Sequence, residues 1–221
     1  MSRADEQRDA VRAAFDERAP YYDQSTMHHL LAASVARFAT VPEGGTAVDV
    51  ATGTGLVVRA LTRARPDVTA IGVDLSAGML AVARAELPSA QWVQADAAAL
   101  PLPDGSVDLV TCVAALHLFP EPDAAIAEWA RVLRPGGRVI TATFAGAGHT
   151  AHAHAAHADA HAGREHGARA GEHPYLRNHE PFATLDRLLG RLAPVGLRIQ
   201  RVATWVRTDD RVLIALTRLA S

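Results

Sequence analysis

Residues 48–61 read VDVATGTGLVVRAL, and this stretch decides the fold. The apolar run TAVDVA at residues 46–51 is of the kind that is buried on both faces of a parallel sheet. Gly53 and Gly55 follow it directly, and a helical pattern begins at Leu56. Because glycine has no β-carbon, it can adopt a positive φ and let a ligand approach the backbone closely. The stretch therefore predicts a strand, a tight ligand-binding turn and a helix.

The rest of the chain repeats this alternation of strand and helix. Strand-like runs at 46–51, 69–74, 91–96, 107–113 and 138–144 precede two closing β-rich runs at 196–206 and 211–219. Only RTDD separates the last two runs, which is too short for a crossover helix, so that pair should be antiparallel. The pattern predicts an α/β fold with a doubly wound, mostly parallel seven-stranded sheet and an antiparallel last strand.

Length and composition bound the organisation of the chain. At 221 residues it suits a single domain over 1–221, with N-terminal helices (1–40), a cofactor-binding core (41–145), a helical lid or substrate insert (146–193) and a closing β pair (194–221). No apolar run approaches the roughly 20 residues that span a bilayer, and the N-terminus is polar. We therefore expect a cytoplasmic protein that does not associate with membranes.

Charge and residue usage exclude several kinds of chemistry. The net charge is −2 and the basic residues are dispersed, so no nucleic-acid partner is expected. All 22 basic residues are arginine, which rules out Schiff-base catalysis by lysine. The single cysteine, Cys112, cannot form an internal disulfide or a multi-cysteine metal cluster.

An acidic residue accompanies the glycine turn. Asp74 ends the second strand-like run, where a carboxylate beside the turn can accept hydrogen bonds from both hydroxyls of a ribose. Leu56, Val57 and Val58 stand where a dinucleotide-binding loop would have its third glycine, and Asp49 would repel a phosphate. A nucleoside that carries an amine or a sulfonium therefore fits better than a pyrophosphate.

Four motifs in order carry a family resemblance: VDVATGTG, IGVDLSAGML, VQADAAALPLPDGSVDLV and VLRPGGRVI. Together they resemble the class I S-adenosylmethionine-dependent methyltransferases, and in particular the small-molecule branch that includes quinone-biosynthesis enzymes. The resemblance implies a Rossmann-like methyltransferase fold, S-adenosylmethionine as cofactor and methyl transfer to oxygen, nitrogen or carbon of a small-molecule acceptor.

The resemblance also implies roles for individual residues. Asp49 and the backbone around Ala51, Gly53 and Gly55 would hold the methionine moiety, and Asp74 the ribose. Leu75, Met79, Asp96 and Ala97 would surround the adenine, and Tyr22 would lie near the cofactor's carboxylate. Ala51 departs from the family pattern, in which many members have glycine.

A methyl acceptor that must lose a proton needs a general base, and three histidines are candidates for this role. His117 follows the fourth strand-like run, at the edge of an open sheet where ligands bind, although a packing role is the alternative. Eight of the eleven histidines lie between His149 and His179. In that tract His157 and His161 share one helical face, so it could be a substrate-facing lid with an acting base, a metal site or a solvated surface.

Two questions stay open at this stage. The same fold could bind the cofactor and catalyse a non-methylating step such as cyclisation, or act as a metal-binding regulator through the histidine-rich tract. No residue is assigned as a metal ligand for the methyl transfer. The oligomeric state is also open, with a homodimer as one alternative.

Overall fold

The computed structural model describes residues 1–145, 174–207 and 210–220. Within them six α-helices and seven strands follow one another along the chain. The helices are α1 (Arg3–Arg18), α2 (Thr26–Phe38), α3 (Leu56–Ala64), α4 (Ala77–Glu86), α5 (Pro122–Val132) and α6 (Leu185–Leu192). The strands are β1 (Thr46–Val50), β2 (Thr69–Asp74), β3 (Gln91–Gln94), β4 (Val107–Val113), β5 (Leu133–Phe144), β6 (Leu197–Arg207) and β7 (Asp210–Leu219).

The seven strands form one sheet in the order β3-β2-β1-β4-β5-β7-β6. The first five strands are mutually parallel, and β7 runs antiparallel to both β5 and β6. The chain starts at the centre with β1, winds outward to β3 and then returns to β4. This confirms the predicted doubly wound, mostly parallel sheet and its antiparallel last strand. The strand order reverses between β1 and β4, where such sheets bind their ligands.

The sheet is covered on both faces, which is why its central strands are almost continuously apolar. One apolar cluster packs α5 and α6 on the sheet through Ile126, Trp129 and Leu188. The other packs α2 and α3 on the opposite face through Leu31 and Leu61. Each of these five side chains is nearly or completely buried. Full burial of one aliphatic side chain of this size stabilises the folded state by about 1.5–3 kcal/mol.

Most strand boundaries lie within one residue of the sequence prediction, and those of β3 and β5 differ by more. β5 begins at Leu133 rather than at 138, and β3 ends at Gln94 rather than at 96. At the end of the insert that was predicted to be helical, a 3₁₀ turn (Glu180–Phe182) precedes α6. The break between the turn and α6 arises because the Thr184 side chain accepts from the Arg187 amide and starts a new helix. The predicted histidine-rich helix lies outside the described residues. In the described ranges, every helix is too short or too polar to cross a bilayer.

Candidate cofactor site

The loop between β1 and α3 is a tight turn built on left-handed backbone. Gly53 has a φ of 56° and Gly55 a φ of 81°, and Ala51 adopts 55° although it carries a side chain. The Thr52 amide donates to Val73 O (3.0 Å), which ties the loop to the end of β2, and the Gly55 amide closes the turn on Thr52 O (3.0 Å). The backbone of this loop is therefore fixed before any ligand binds.

Asp74 holds the same loop from the end of β2. Its Oδ2 accepts from the Gly53 amide (2.7 Å) and its Oδ1 from the Ser76 amide (2.8 Å). Burial raises the pKa of this carboxyl group, and the backbone hydrogen bonds from Ser76, Gly53 and Leu75 oppose that shift. Each oxygen keeps a second lone pair, so the carboxylate can still accept hydrogen bonds from a ligand.

A pocket opens at the carboxyl ends of β1, β2 and β4, beside the glycine loop. Seven of the ten residues predicted to bind a cofactor line it. They are Tyr22, Ala51, Gly53, Asp74, Leu75, Asp96 and Ala97. The rest of the wall is mainly apolar and comes from α1 and from the segment after β4: Val11, Phe15, Ala114, Ala115, Leu118 and Phe119. The site therefore combines the carboxylates of Asp74, Asp96 and Glu121 with apolar walls.

Asp96 lies at the end of the pocket nearest to the edge strand β3. It follows β3, and its Oδ1 accepts from the Ala98 amide at 2.9 Å. Its Oδ2 lies 2.5 Å from Nε of Arg8, a residue of α1, and a second guanidinium nitrogen of Arg8 donates to Glu121. Helix α1 thus reaches across this end of the pocket.

Three predicted cofactor residues do not line the described pocket. Asp49 is buried, and its two oxygens accept from the hydroxyl groups of Thr52 and Thr111, both at 2.6 Å. Burial raises the pKa of Asp49 to about 6. Gly55 packs against an indole ring, and Met79 is fully buried in α4. Their contacts shape the loop and the helix that carry the lining residues.

His117 lies in a 3₁₀ turn (Leu116–Leu118) directly after β4. Its ring is buried, does not line the pocket, and stacks on the ring of His179 with 3.9 Å between centroids. Phe144 meets both rings edge-on, at 5.9 and 5.8 Å. The two flanking residues Ala115 and Leu118 do line the pocket. His157 and His161 lie outside the described residues.

Sequence reasoning missed the contribution of α1 to the site. Arg8, Val11, Arg12 and Phe15 all line the pocket. Their spacing of i, i+3, i+4 and i+7 places them on one face of the helix, and this periodicity was the available signal. The sequence did not predict a binding role for this face because half of its residues are arginine, which is ordinarily solvent-exposed.

The described residues fit a nucleoside with a positively charged substituent. The Gly53 backbone faces the pocket beside Tyr22, where an added Cβ would stand 3.8 Å from the tyrosine ring. Asp74 suits ribose hydroxyl groups, Leu75 and Ala97 suit a flat base, and the buried carboxylates near the loop would repel a phosphate. Fold and site together define a Rossmann-like domain for a nucleoside cofactor.

Comparison with known proteins narrows this class. Residues 48–141 match the family model described as a methyltransferase domain. The matched segment is therefore a domain of the methyltransferase type, and the cofactor that such a domain indicates is S-adenosylmethionine. The match runs from Val48 in β1 to Thr141 in β5 and so includes the carboxyl ends of β1, β2 and β4, where the pocket lies.

A curated relative supports the quinone-biosynthesis resemblance. The chain is 38% identical over 155 residues to a demethylmenaquinone methyltransferase of Renibacterium salmoninarum, and the matched region covers 65% of this chain and 63% of that one. The chain therefore spans about three fifths of the relative's length.

Solved structures confirm the fold. An S-adenosylmethionine-dependent methyltransferase from Mesorhizobium loti superposes with a TM-score of 0.62 at 22% identity, covering 84% of this chain and 96% of that one. The [4+2]-cyclase SpnF superposes with a TM-score of 0.65 at 21% identity, covering 87% and 81%. Because the second structure is named as a cyclase, the fold alone does not decide the reaction.

Proposed function

We propose that the protein is an S-adenosylmethionine-dependent methyltransferase that acts on a small, flat, mainly apolar acceptor. The observation that carries the proposal is the convergence of Asp74, Asp96 and the glycine loop on one apolar pocket at the carboxyl ends of the strands. When bound, the cofactor supplies an electrophilic methyl group on a sulfonium. What the protein must add is alignment of the acceptor with that carbon, which can contribute about 7–11 kcal/mol.

Each lining residue has a distinct task in this proposal. Asp74 accepts from the ribose hydroxyl groups, and the rigid Gly53 turn lets the methionine portion approach the backbone. Leu75 and Ala97 sandwich the adenine. Tyr22 keeps its proton, since burial raises its pKa to about 12, and so it can act only as a neutral hydrogen-bonding hydroxyl group.

The acceptor would occupy the part of the pocket lined by rings. Phe15, Tyr22 and Phe119 present aromatic surface, and Val11 and Leu118 complete an apolar wall. A planar ring can stack offset on such side chains and displace water from them. A quinone-like acceptor has this shape, in keeping with the name of the Renibacterium relative, a demethylmenaquinone methyltransferase.

His117 is the residue that we propose as proton acceptor for the methyl-accepting group. Its ring lies beside the pocket wall formed by Ala115 and Leu118 and not in it, so the proton would reach it through one water molecule, and the stacked His179 ring fixes its orientation. An imidazole ordinarily titrates near neutral pH, which suits a general base. A His117→Gln variant should retain cofactor affinity but lose turnover, with a flattened pH–rate profile. An unchanged pH–rate profile would indicate that His117 only packs against its neighbours.

Calorimetric titration with S-adenosylmethionine tests the cofactor part of the proposal. The wild type should bind at one site, and Asp74→Asn should bind ten- to a hundredfold more weakly, because it loses charge-assisted hydrogen bonds. Asp186→Asn, on the exposed first turn of α6, is the matched control and should bind like the wild type. Failure of the wild type to bind would refute the proposal.

Product analysis with a demethylated naphthoquinol tests the acceptor part. A methyltransferase forms S-adenosylhomocysteine in proportion to methylated quinol. A rearranged acceptor without S-adenosylhomocysteine would instead support the non-methylating alternative.

A further inference from the structure

Helix α1 is held on the molecule in an unusual way. It is 16 residues long and begins with a capping box between Ser2 and Asp5, yet none of its residues is buried. Most helices of a globular domain dock through a buried apolar stripe. Here Val11 and Phe15 face the ligand pocket instead of a protein core. The helix therefore covers the pocket without a buried apolar stripe, although Phe15 contacts the rings of Tyr22 and Tyr175 at 6.3 and 6.1 Å between centroids.

Polar contacts at both ends take the place of that packing. Near the N-terminus, Gln7 donates to Leu118 O (3.2 Å) and Leu176 O (2.8 Å) and accepts from the Leu176 amide (2.9 Å). Near the C-terminus, Asp16 accepts from the Ser76 hydroxyl group (2.5 Å) and the Gly78 amide (2.8 Å). These contacts fix the ends of α1 above the sheet.

Arg8 makes the contact that crosses the mouth of the pocket. Its guanidinium joins two acidic residues from different loops, Asp96 after β3 and Glu121 before α5. The planar fork of arginine can satisfy two carboxylates at once, which the single ammonium of a lysine does less well. Both oxygens of Asp96 are thereby engaged, one by Arg8 and one by the Ala98 amide.

We infer that Arg8 is a positioning residue that latches α1 over the adenine end of the site and sets how long the cofactor stays bound. The inference rests on the proposed function, since it assumes that a nucleoside cofactor occupies this pocket. The latch is the pair of contacts of Arg8 with Asp96 and Glu121. While these contacts are made, Asp96 is oriented toward the adenine, and Val11 and Phe15 contact the ligand. The ligand adds apolar surface to the ring contacts that Phe15 already makes, so closure and binding support each other.

The latch is only partly shielded from solvent, and this property makes it testable. The exposed fraction of the side chain is 22% for Arg8, 31% for Asp96 and 52% for Glu121. Salt screens ion pairs of this exposure, whereas apolar packing does not weaken with ionic strength in this way. Release of the cofactor product should therefore become faster as salt concentration rises.

Stopped-flow measurement of S-adenosylhomocysteine release tests the inference. Arg8→Gln should raise the dissociation rate about tenfold and abolish most of its dependence on salt between 50 and 500 mM sodium chloride. Arg8→Lys should restore part of the slow release. Arg3→Gln, which removes the same charge from an exposed position of α1, is the matched control and should release the ligand like the wild type.

Glu121→Gln tests the latch from the other side and covers the case in which Arg8→Gln fails to fold. Glu121→Gln should also speed release. In the Arg8→Gln, Glu121→Gln double variant the two increases in release rate should not add, because each substitution removes the same Arg8–Glu121 ion pair. Wild-type release rates and salt dependence in both single variants would overturn the inference. That outcome is distinct from failure of the proposed function, in which the wild type itself would not bind S-adenosylhomocysteine.

Discussion

The indole of Trp92 occupies the space that a side chain at Gly55 would need. An added Cβ at Gly55 would stand 2.3 Å from Cη2 of Trp92, and one at Gly72 would stand 2.4 Å from Cζ3. Trp92 is fixed in this position by a hydrogen bond from its Nε1 to Leu87 O (3.0 Å). The second glycine of the loop is therefore required by packing as well as by its φ of 81°.

Gly55→Ala should lower the free energy of unfolding by about 2–5 kcal/mol, since it combines overpacking with left-handed strain. Urea denaturation measures this change. When Trp92→Ala is already present, adding Gly55→Ala should lower the free energy of unfolding by less than it does in the wild type, because the overpacking is gone. The loss that remains is the strain of the positive φ. A Gly55→Ala variant as stable as the wild type would contradict the described packing.

Ala51 should tolerate the glycine that many family members have. Its φ of 55° costs a residue with a side chain about 1 kcal/mol, and glycine removes this strain while adding a similar entropy to the unfolded chain. Ala51→Gly should therefore leave the free energy of unfolding unchanged or raise it by up to about 1 kcal/mol. Ala81→Gly on the exposed face of α4 should lower it by about 1 kcal/mol, and equal losses at both positions would refute the strain argument.

Asp49 should make the protein less stable as pH rises from about 4 to about 6. Burial raises its pKa from 3.8 to about 6, so within this range the folded state holds a proton that the unfolded state has lost. The associated destabilisation is complete above pH 6 and amounts to roughly 3 kcal/mol. Asp49→Asn should remove this part of the pH dependence, as urea denaturation between pH 4 and 8 would show. An identical pH slope in both proteins would argue against a buried, protonatable Asp49.

Arg131 should be required for the conformation of the loop that follows Asp96. Its guanidinium donates to Leu100 O (3.0 Å) and Leu102 O (2.9 Å), while Glu128 accepts from Arg131 (2.7 Å) and from the Leu100 amide (2.9 Å). Arg131→Lys should lower the free energy of unfolding by about 1–3 kcal/mol and weaken S-adenosylmethionine binding several-fold.

Thermal denaturation and calorimetry measure the two effects of Arg131→Lys. Arg63→Lys, at an exposed position of α3, is the control and should change neither quantity. Lower stability with unchanged affinity would show that the loop does not transmit the change to the pocket.

The sequence by itself determined the sheet, the glycine turn and seven of the residues that line the pocket. These features follow from local patterns: strand runs alternate with helical runs, and Gly53 and Asp74 lie at the ends of adjacent strands that the right-handed connection brings together. The four motifs added the resemblance to a family, because their order and spacing are far more specific than one glycine loop.

Only the tertiary structure decided which side chains reach the pocket. Asp49 turns to Thr52 and Thr111, since its place in a strand buried on both faces leaves it no route to the pocket. Arg8 meets Asp96 through the docking of α1, which depends on contacts between residues far apart in the chain. Periodicity fixes the face of an element on which a residue lies, whereas packing between elements fixes what that face meets.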